Sequence, residues 1–215
     1  MKDYAAIFED AKQFAQSHLR DAEPGHDILH IERVFDTAMY LACKLNADLL
    51  VVGLASLLHD VGDAKFHQGN ETIGPQLIRQ YLESRNLPSK VCEEVLFITE
   101  HFSFRKSLHF NGQKSIEFQI VQDADRLDAM GAIGIARAFS FGAYKKRAFY
   151  QLKFEGNTKR LDRSTNTKTV NHFYEKLLLL KDLMNTDEAK MMAQQRHEFM
   201  LEYLRQFYRE INADD

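Results

Sequence analysis

The chain has 215 residues, 45% of them hydrophobic, which is material for one large domain or two small ones around a buried core. Its formal net charge of -3 excludes the global basic field of a general nucleic-acid binder, so no stable nucleic-acid complex is expected, while a local phosphate site stays compatible. The N-terminal stretch MKDYAAIFEDAKQF is charged throughout, and no run approaches the roughly 18 uninterrupted apolar residues of a membrane span, so a cytoplasmic chain without a membrane partner is expected.

Only three prolines and ten glycines interrupt the chain, and helical periodicity runs between them. Residues 3–20 place Tyr4, Ile7, Phe8, Ala11, Phe14, Ala15 and His18 on one helical face, and Glu23-Pro24-Gly25 breaks that helix. A second helix is predicted from about Asp27 to Leu45, with Val34, Ala38, Leu41, Ala42 and Leu45 as its apolar stripe. A third starts near Ala47-Asp48 and continues as LLVVGLASLLHDVGD, apolar on nearly every side and therefore a core helix. Further helices are predicted over about Thr72–Ser84 and from Leu87-Pro88 to Glu100 or His101. Residues 102–113 read as a loop holding Phe102, Phe104 and Phe110.

The run IEFQIVQDADRLDAMGAIGIARAFSFGAY predicts one long helix, bent near Gly131 or Gly134. Residues 155–169 are polar and aperiodic and read as a mobile loop, with a lid over the site as an alternative. Two helices, about 170–184 and 187–211, close the chain, the last with Thr186-Asp187 at its start. Neither a repeat nor a strand pattern is visible. The expected fold is all-α, a single-domain helical bundle over 1–215, with the C-terminal helices of 146–215 completing it. Cys43 and Cys92 both lie in apolar helical stretches and read as buried small hydrophobes; a disulfide framework is not expected at this count.

The strongest chemical signal is His59-Asp60, two strong polar groups at the end of an apolar helix. Burying them without partners costs several kcal/mol, and a divalent metal is one answer, since both residue types ligate such ions. A helix end that simply reaches solvent is the other. His26 and His30 lie four apart on one helix face. Asp123, Asp125 and Asp128 cluster in DADRLDA, and His101 ends another helix. Four such positions on different helices favour a metal centre over scattered structural residues. Spacing alone does not choose between His26 and His30, or among the three aspartates.

The order His…His-Asp…Asp resembles the HD superfamily of metal-dependent phosphohydrolases. It is carried by HIERV, LLHDVGD and DADRLDA, over roughly residues 24–145. The longer stretches GHDILHIERV, HDVGDAKF, DADRLDAMGAIGIARAF and HFYEKLLLLKDLMNT are similar to the YpgQ/YedJ-like bacterial branch. The resemblance implies an HD-type helical fold with His30, His59, Asp60 and Asp125 as ligands of a divalent metal. Manganese is favoured, and iron, cobalt, nickel, zinc or magnesium would also suit such ligands. It further implies a metal-bound water that attacks a phosphate ester or anhydride, with a nucleotide as the favoured substrate, in the manner of a nucleoside triphosphate pyrophosphohydrolase.

Around that set, Asp63 reads as an orienter of water or a general base, His26 as a phosphate contact or proton donor to the leaving group, and His101 as a phosphate contact or a helper of a second metal. Lys65, Arg126, His172 and Lys176 read as substrate-side groups. Each has a plainer reading as a helix-end or surface side chain. Arg33, Asp123 and Asp128 read as structural partners, and Lys145-Lys146-Arg147 as a solvated helix end. His18, His67, His109 and His197 read as structural or exposed. Tyr203, Phe207 and Tyr208 serve either internal packing or a homodimer. Two other functions compete with the nucleotide enzyme: a phosphodiesterase or phosphomonoesterase on another small phosphorylated metabolite, and a non-catalytic nucleotide-binding regulatory module.

Overall fold

The computed structural model describes residues 4–19, 27–61, 70, 72–101, 112–150 and 168–212. Among them the regular elements are all helical: α1 (Ala5–His18), α2 (Ile28–Leu45), α3 (Leu49–Leu58), α4 (Ile73–Glu83), α5 (Ser89–His101), α6 (Ile116–Asp128), α7 (Gly131–Tyr144), α8 (Asn171–Glu175), a 3-10 segment (Leu177–Leu183) and α9 (Asp187–Asn212). One isolated parallel bridge joins Ala148 and Lys168. The chain forms two compact units, Met1–Ala22 with His26–Ala124, and Glu23–Gly25 with Asp125–Asp215. No helix among the described residues is long and apolar enough to cross a membrane.

In the first unit α3 is the central element and packs against α1, α2 and α5. Asp48 starts it, its carboxylate accepting from the Leu50 and Val51 amides at 2.9 and 3.4 Å. Every residue from Leu50 to Leu58 is buried, as a helix apolar on all sides requires. Gly53 permits the close approach of α1: a Cβ there would lie 2.4 Å from the Phe8 ring. Ile31, Val34, Ala38 and Leu41 of α2, Val95 and Ile98 of α5 and Phe118 of α6 are fully buried in the same unit.

A polar clamp ties α1 to the α4 end. Asp10 takes hydrogen bonds from Tyr81 Oη (2.7 Å), Arg85 Nε (2.7 Å) and Arg85 Nη2 (3.1 Å). Phe14 stacks on Tyr81 at 4.4 Å. The Arg85 guanidinium, followed by the Tyr81 hydroxyl, holds the Asp10 carboxyl below the ordinary range. A depressed folded-state pKa contributes stability that is present above the unfolded value of about 3.9 and is lost as pH falls through the folded value. Both ion-pair side chains are more than a third exposed, so water and salt weaken the effect. Asp10→Asn is therefore expected to lower the urea midpoint at pH 6, with the deficit shrinking below about pH 4 and in 1 M salt. A deficit independent of both would contradict the electrostatic account.

The second unit is built on aromatic packing. Phe139 of α7 meets Phe149 at 5.1 Å, Phe173 at 5.9 Å, Phe207 at 5.8 Å and Tyr203 at 6.2 Å, and Tyr203 stacks on Phe173. Of the two readings for the C-terminal aromatics, internal packing is the one these contacts bear out for Tyr203 and Phe207.

Three expectations are corrected. The long bent helix is two helices, α6 and α7, because Met130 is extended and Gly131 takes φ +68, a left-handed conformation that stops α6. The helix expected over 170–184 is one short α-helical stretch followed by the 3-10 segment. Cys43 is exposed and Cys92 only partly buried. The buried stripe of α2 includes Leu41 and Ala42, and Cys43 is two helical steps past Leu41, about 200° round the axis. The Cys92 Sγ faces the Leu87 carbonyl at 3.9 Å, and burial raises its thiol pKa. A thiol reagent at pH 7.5 is expected to label Cys43 first and Cys92 more slowly, read by peptide mass spectrometry. Equal rates would be inconsistent with this burial pattern.

Candidate metal centre

The apolar character of α3 carries His59 and Asp60 into the protein. The helix ends at Leu58, His59 keeps helical dihedrals, and the Val61 amide closes the turn onto the Leu58 carbonyl at 3.1 Å. The third member comes from the first turn of α2. Asp27 caps that helix by accepting from the His30 amide at 3.0 Å, and His30 then lies on the inner face beside Ile31 and Val34. His30 is 0% exposed, His59 6% and Asp60 8%.

The donor atoms converge. The two Nε2 atoms of His30 and His59 face each other at 3.2 Å, with ring planes 77° apart. Asp60 Oδ2 lies 3.6 Å from His30 Nε2, and Asp60 Oδ1 lies 3.6 Å from His59 Nε2. Two donors each about 2.1 Å from one shared cation must lie within about 4.2 Å of each other. All three separations satisfy that limit. The tautomer of His59 follows from its second contact, Nδ1 to the Ser56 carbonyl at 2.7 Å. A carbonyl only accepts, so a proton sits on Nδ1, and Nε2 is the ring nitrogen left to face the cluster as a metal ligand. Ser56 is itself buried, with its hydroxyl bonded to the Gly53 carbonyl at 2.9 Å. Two imidazoles and a carboxylate suit a divalent transition metal.

The other sequence candidates fall as follows. Asp125 lies on α6 in the second unit and is half-exposed, between the buried Ala124 and Arg126. Of its neighbours, Asp123 is fully buried and Asp128 is bound by Arg137 at 2.6 Å. The buried Arg126 donates through Nη1 to the Leu183 carbonyl. His101 closes α5, half-buried, with Nδ1 2.9 Å from the Phe97 carbonyl, which directs its Nε2 away from the helix backbone. His172 lies in the first turn of α8 and Lys176 at its end, both half-buried. His26, Asp63 and Lys65 lie outside the described residues. Two supporting groups escaped sequence reading, the Asp27 cap and the Ser56 carbonyl. An Asp just before an amphipathic run is a legible signal; a backbone carbonyl carries none.

The HD-domain family profile matches residues 28–130. YpgQ of Bacillus subtilis is 38% identical over 96% of this chain and 95% of its own length. The chain belongs to the HD-domain family. Its fold agrees with that of B. subtilis YpgQ crystallised in complex with ADP (TM-score 0.76, 37% identity, 97% of this chain and 100% of that one). It agrees equally with an HD-superfamily hydrolase from Bacillus thuringiensis (TM-score 0.77, 36% identity, 98% and 100%). As an HD-domain protein with this buried His30–His59–Asp60 donor set, the chain is in general class a metal-dependent phosphohydrolase.

Proposed function

We propose that the chain hydrolyses a phosphoanhydride of a nucleotide, as a nucleoside triphosphate pyrophosphohydrolase does, with a divalent metal, manganese favoured, held by His30, His59, Asp60 and Asp125. The observation that carries the reading is the convergence of two Nε2 atoms and a carboxylate in one buried cluster. The nucleotide is supported by YpgQ of B. subtilis, 37% identical, having been crystallised with ADP. A divalent cation in such a site acidifies water and polarises a phosphoryl oxygen.

The chain's own groups do the rest. Asp63 accepts the proton of the attacking water, His26 protonates the leaving oxygen, and His101 binds the substrate phosphate. Lys65, His172 and Lys176 neutralise phosphate charge. Arg126 joins them from a guanidinium already engaged by the Leu183 carbonyl. The site is expected to work in the cytoplasm on a small soluble substrate, in a monomer or a homodimer.

The test is a manganese-supplemented screen of nucleoside mono-, di- and triphosphates with products resolved by ion-exchange chromatography. Pyrophosphate and a nucleoside monophosphate from a triphosphate are the expected products. Turnover of the monophosphates alone would transfer the assignment to a phosphomonoesterase, and turnover of an added phosphodiester alone to a phosphodiesterase. Binding of metal and nucleotide without turnover would make the chain a regulatory module.

A further inference from the structure

Two helices of the first unit face each other with charge at positions where packed helices carry apolar side chains. On α1 the stripe is Ala5, Phe8, Glu9 and Lys12, at spacings of three and four; on α2 it is Glu32, Phe35 and Asp36. Phe8 lies against Gly53 of α3, which holds α1 close to the core at that level. One turn further along α3, at Leu57, these side chains line a cleft of about 390 Å³. Such a volume is in the range of small-molecule sites. The cleft belongs wholly to one unit, and none of its lining residues is a member of the His30–His59–Asp60 trio.

The lining has an apolar part and a charged part. Leu57 is 2% exposed, and Phe8 and Phe35 meet edge to face at 5.3 Å with their planes 71° apart. In an edge-to-face pair the ring that gives its edge keeps its own faces for a further contact, and ring faces are negative. The rim sets the three carboxylates of Glu9, Glu32 and Asp36 against the one ammonium of Lys12, a net charge of -2. Lys12 bonds to Glu32, and Glu32, ahead of Glu9 and Asp36, holds its ammonium above the ordinary range against a desolvation effect. All three carboxylates therefore act on one small volume. Glu9 also accepts from Gln13 at 3.0 Å.

This combination selects among ligands. A phosphate or another anion is repelled by the rim. A bare metal ion, which keeps its water shell at exposed carboxylates, gains nothing from Leu57 and the ring edges. A neutral apolar molecule makes no use of the carboxylates. A cation carried on an apolar body uses both parts.

We propose that the α1–α2–α3 cleft binds a small organic cation, an ammonium group on an aromatic or branched alkyl body. The body lies against Phe8 and Phe35 over Leu57, and the ammonium group meets Glu9 and Asp36. Binding of this kind needs no divalent metal and is separate from the phosphohydrolase centre.

The experiment follows backbone amide shifts of the full chain by nuclear magnetic resonance, in EDTA, during titration with 2-phenylethylammonium. Saturable shifts centred on the α1 and α2 residues of the cleft are expected. 3-Phenylpropanoate, which carries the opposite charge on a similar body, and ammonium or magnesium chloride, which lack the body, are expected to give none there. Glu9→Gln/Asp36→Asn changes two exposed side chains and is expected to weaken binding about fivefold. Ala5→Trp, also at an exposed position, is expected to fill the cleft and abolish binding. The absence of saturable shifts up to about 10 mM, a free energy weaker than about 3 kcal/mol by the usual conversion, overturns the site. Equal binding of 3-phenylpropanoate overturns the charge selection, equal shifts with ammonium or magnesium chloride reduce the rim to an acidic surface, and parent-like binding in Ala5→Trp removes the ligand from the cleft; each of these sinks the proposal.

Discussion

Asp60→Ala is expected to lower manganese-dependent phosphohydrolysis by more than about 100-fold, which corresponds to at least about 2.7 kcal/mol of transition-state stabilisation. The estimate is a lower bound, because loss of groups that only support a ligand already reaches about 100-fold. Asp60 is the sole carboxylate of the buried trio and lies 3.6 Å from both imidazole Nε2 atoms. Removing it strips the trio of its one anionic donor and leaves the cation two imidazole nitrogens and the proposed Asp125, a weaker set for a hard divalent cation. Thermal denaturation provides a second readout. Ligand binding to the folded state stabilises it by RT ln(1 + [L]/Kd), about 2.7 kcal/mol at a hundredfold excess over Kd. Manganese should therefore raise the melting temperature of the parent and leave Asp60→Ala nearly unmoved. Asp60→Asn, which keeps the volume, should behave like the alanine variant. A parent-like metal response in both variants would remove the trio from the metal site.

Phe118→Ala is expected to destabilise the fold by about 3–5 kcal/mol. Phe118 is 0% exposed in the first unit, with Phe97 of α5 at 5.9 Å and the Lys114 ammonium over its ring at 5.6 Å. Deleting the ring loses its transfer free energy and leaves a cavity that fixed helices close only in part. At about 2–4 °C per kcal/mol for a chain of this size, the melting temperature should fall on the order of 10 °C. Phe199→Ala makes the control, since Phe199 is 47% exposed on α9. A surface truncation of this kind should stay within about 0.5 kcal/mol. Equal losses in the two variants would contradict the placement of the core.

Helices were legible wherever the apolar spacing was regular. The predicted limits of α1, α2, α4 and α5 differ from the observed ones by a residue or two at most positions. Legibility ended where tertiary packing overrides local preference. The run that contains DADRLDAMGAIG has helical periodicity throughout, yet it breaks at Met130 and Gly131, where the Arg196 stem lies close against the glycine. Cys43 had an apolar neighbourhood in sequence but the wrong angle on its helix.

For the site, the amino-acid order alone determined that something unusual happens at His59-Asp60, because an apolar helix that ends in two strong polar groups must satisfy them. Resemblance, rather than spacing, selected His30 over His26 and Asp125 over its neighbours. The tertiary structure decided what no spacing could: that α2 and α3 bring two Nε2 atoms to 3.2 Å, and that the Ser56 carbonyl sets the His59 tautomer. The physical reason is that metal ligation depends on donor atoms a few ångströms apart. Residues 29 positions apart in the chain reach that distance only when a buried apolar face packs one helix against another.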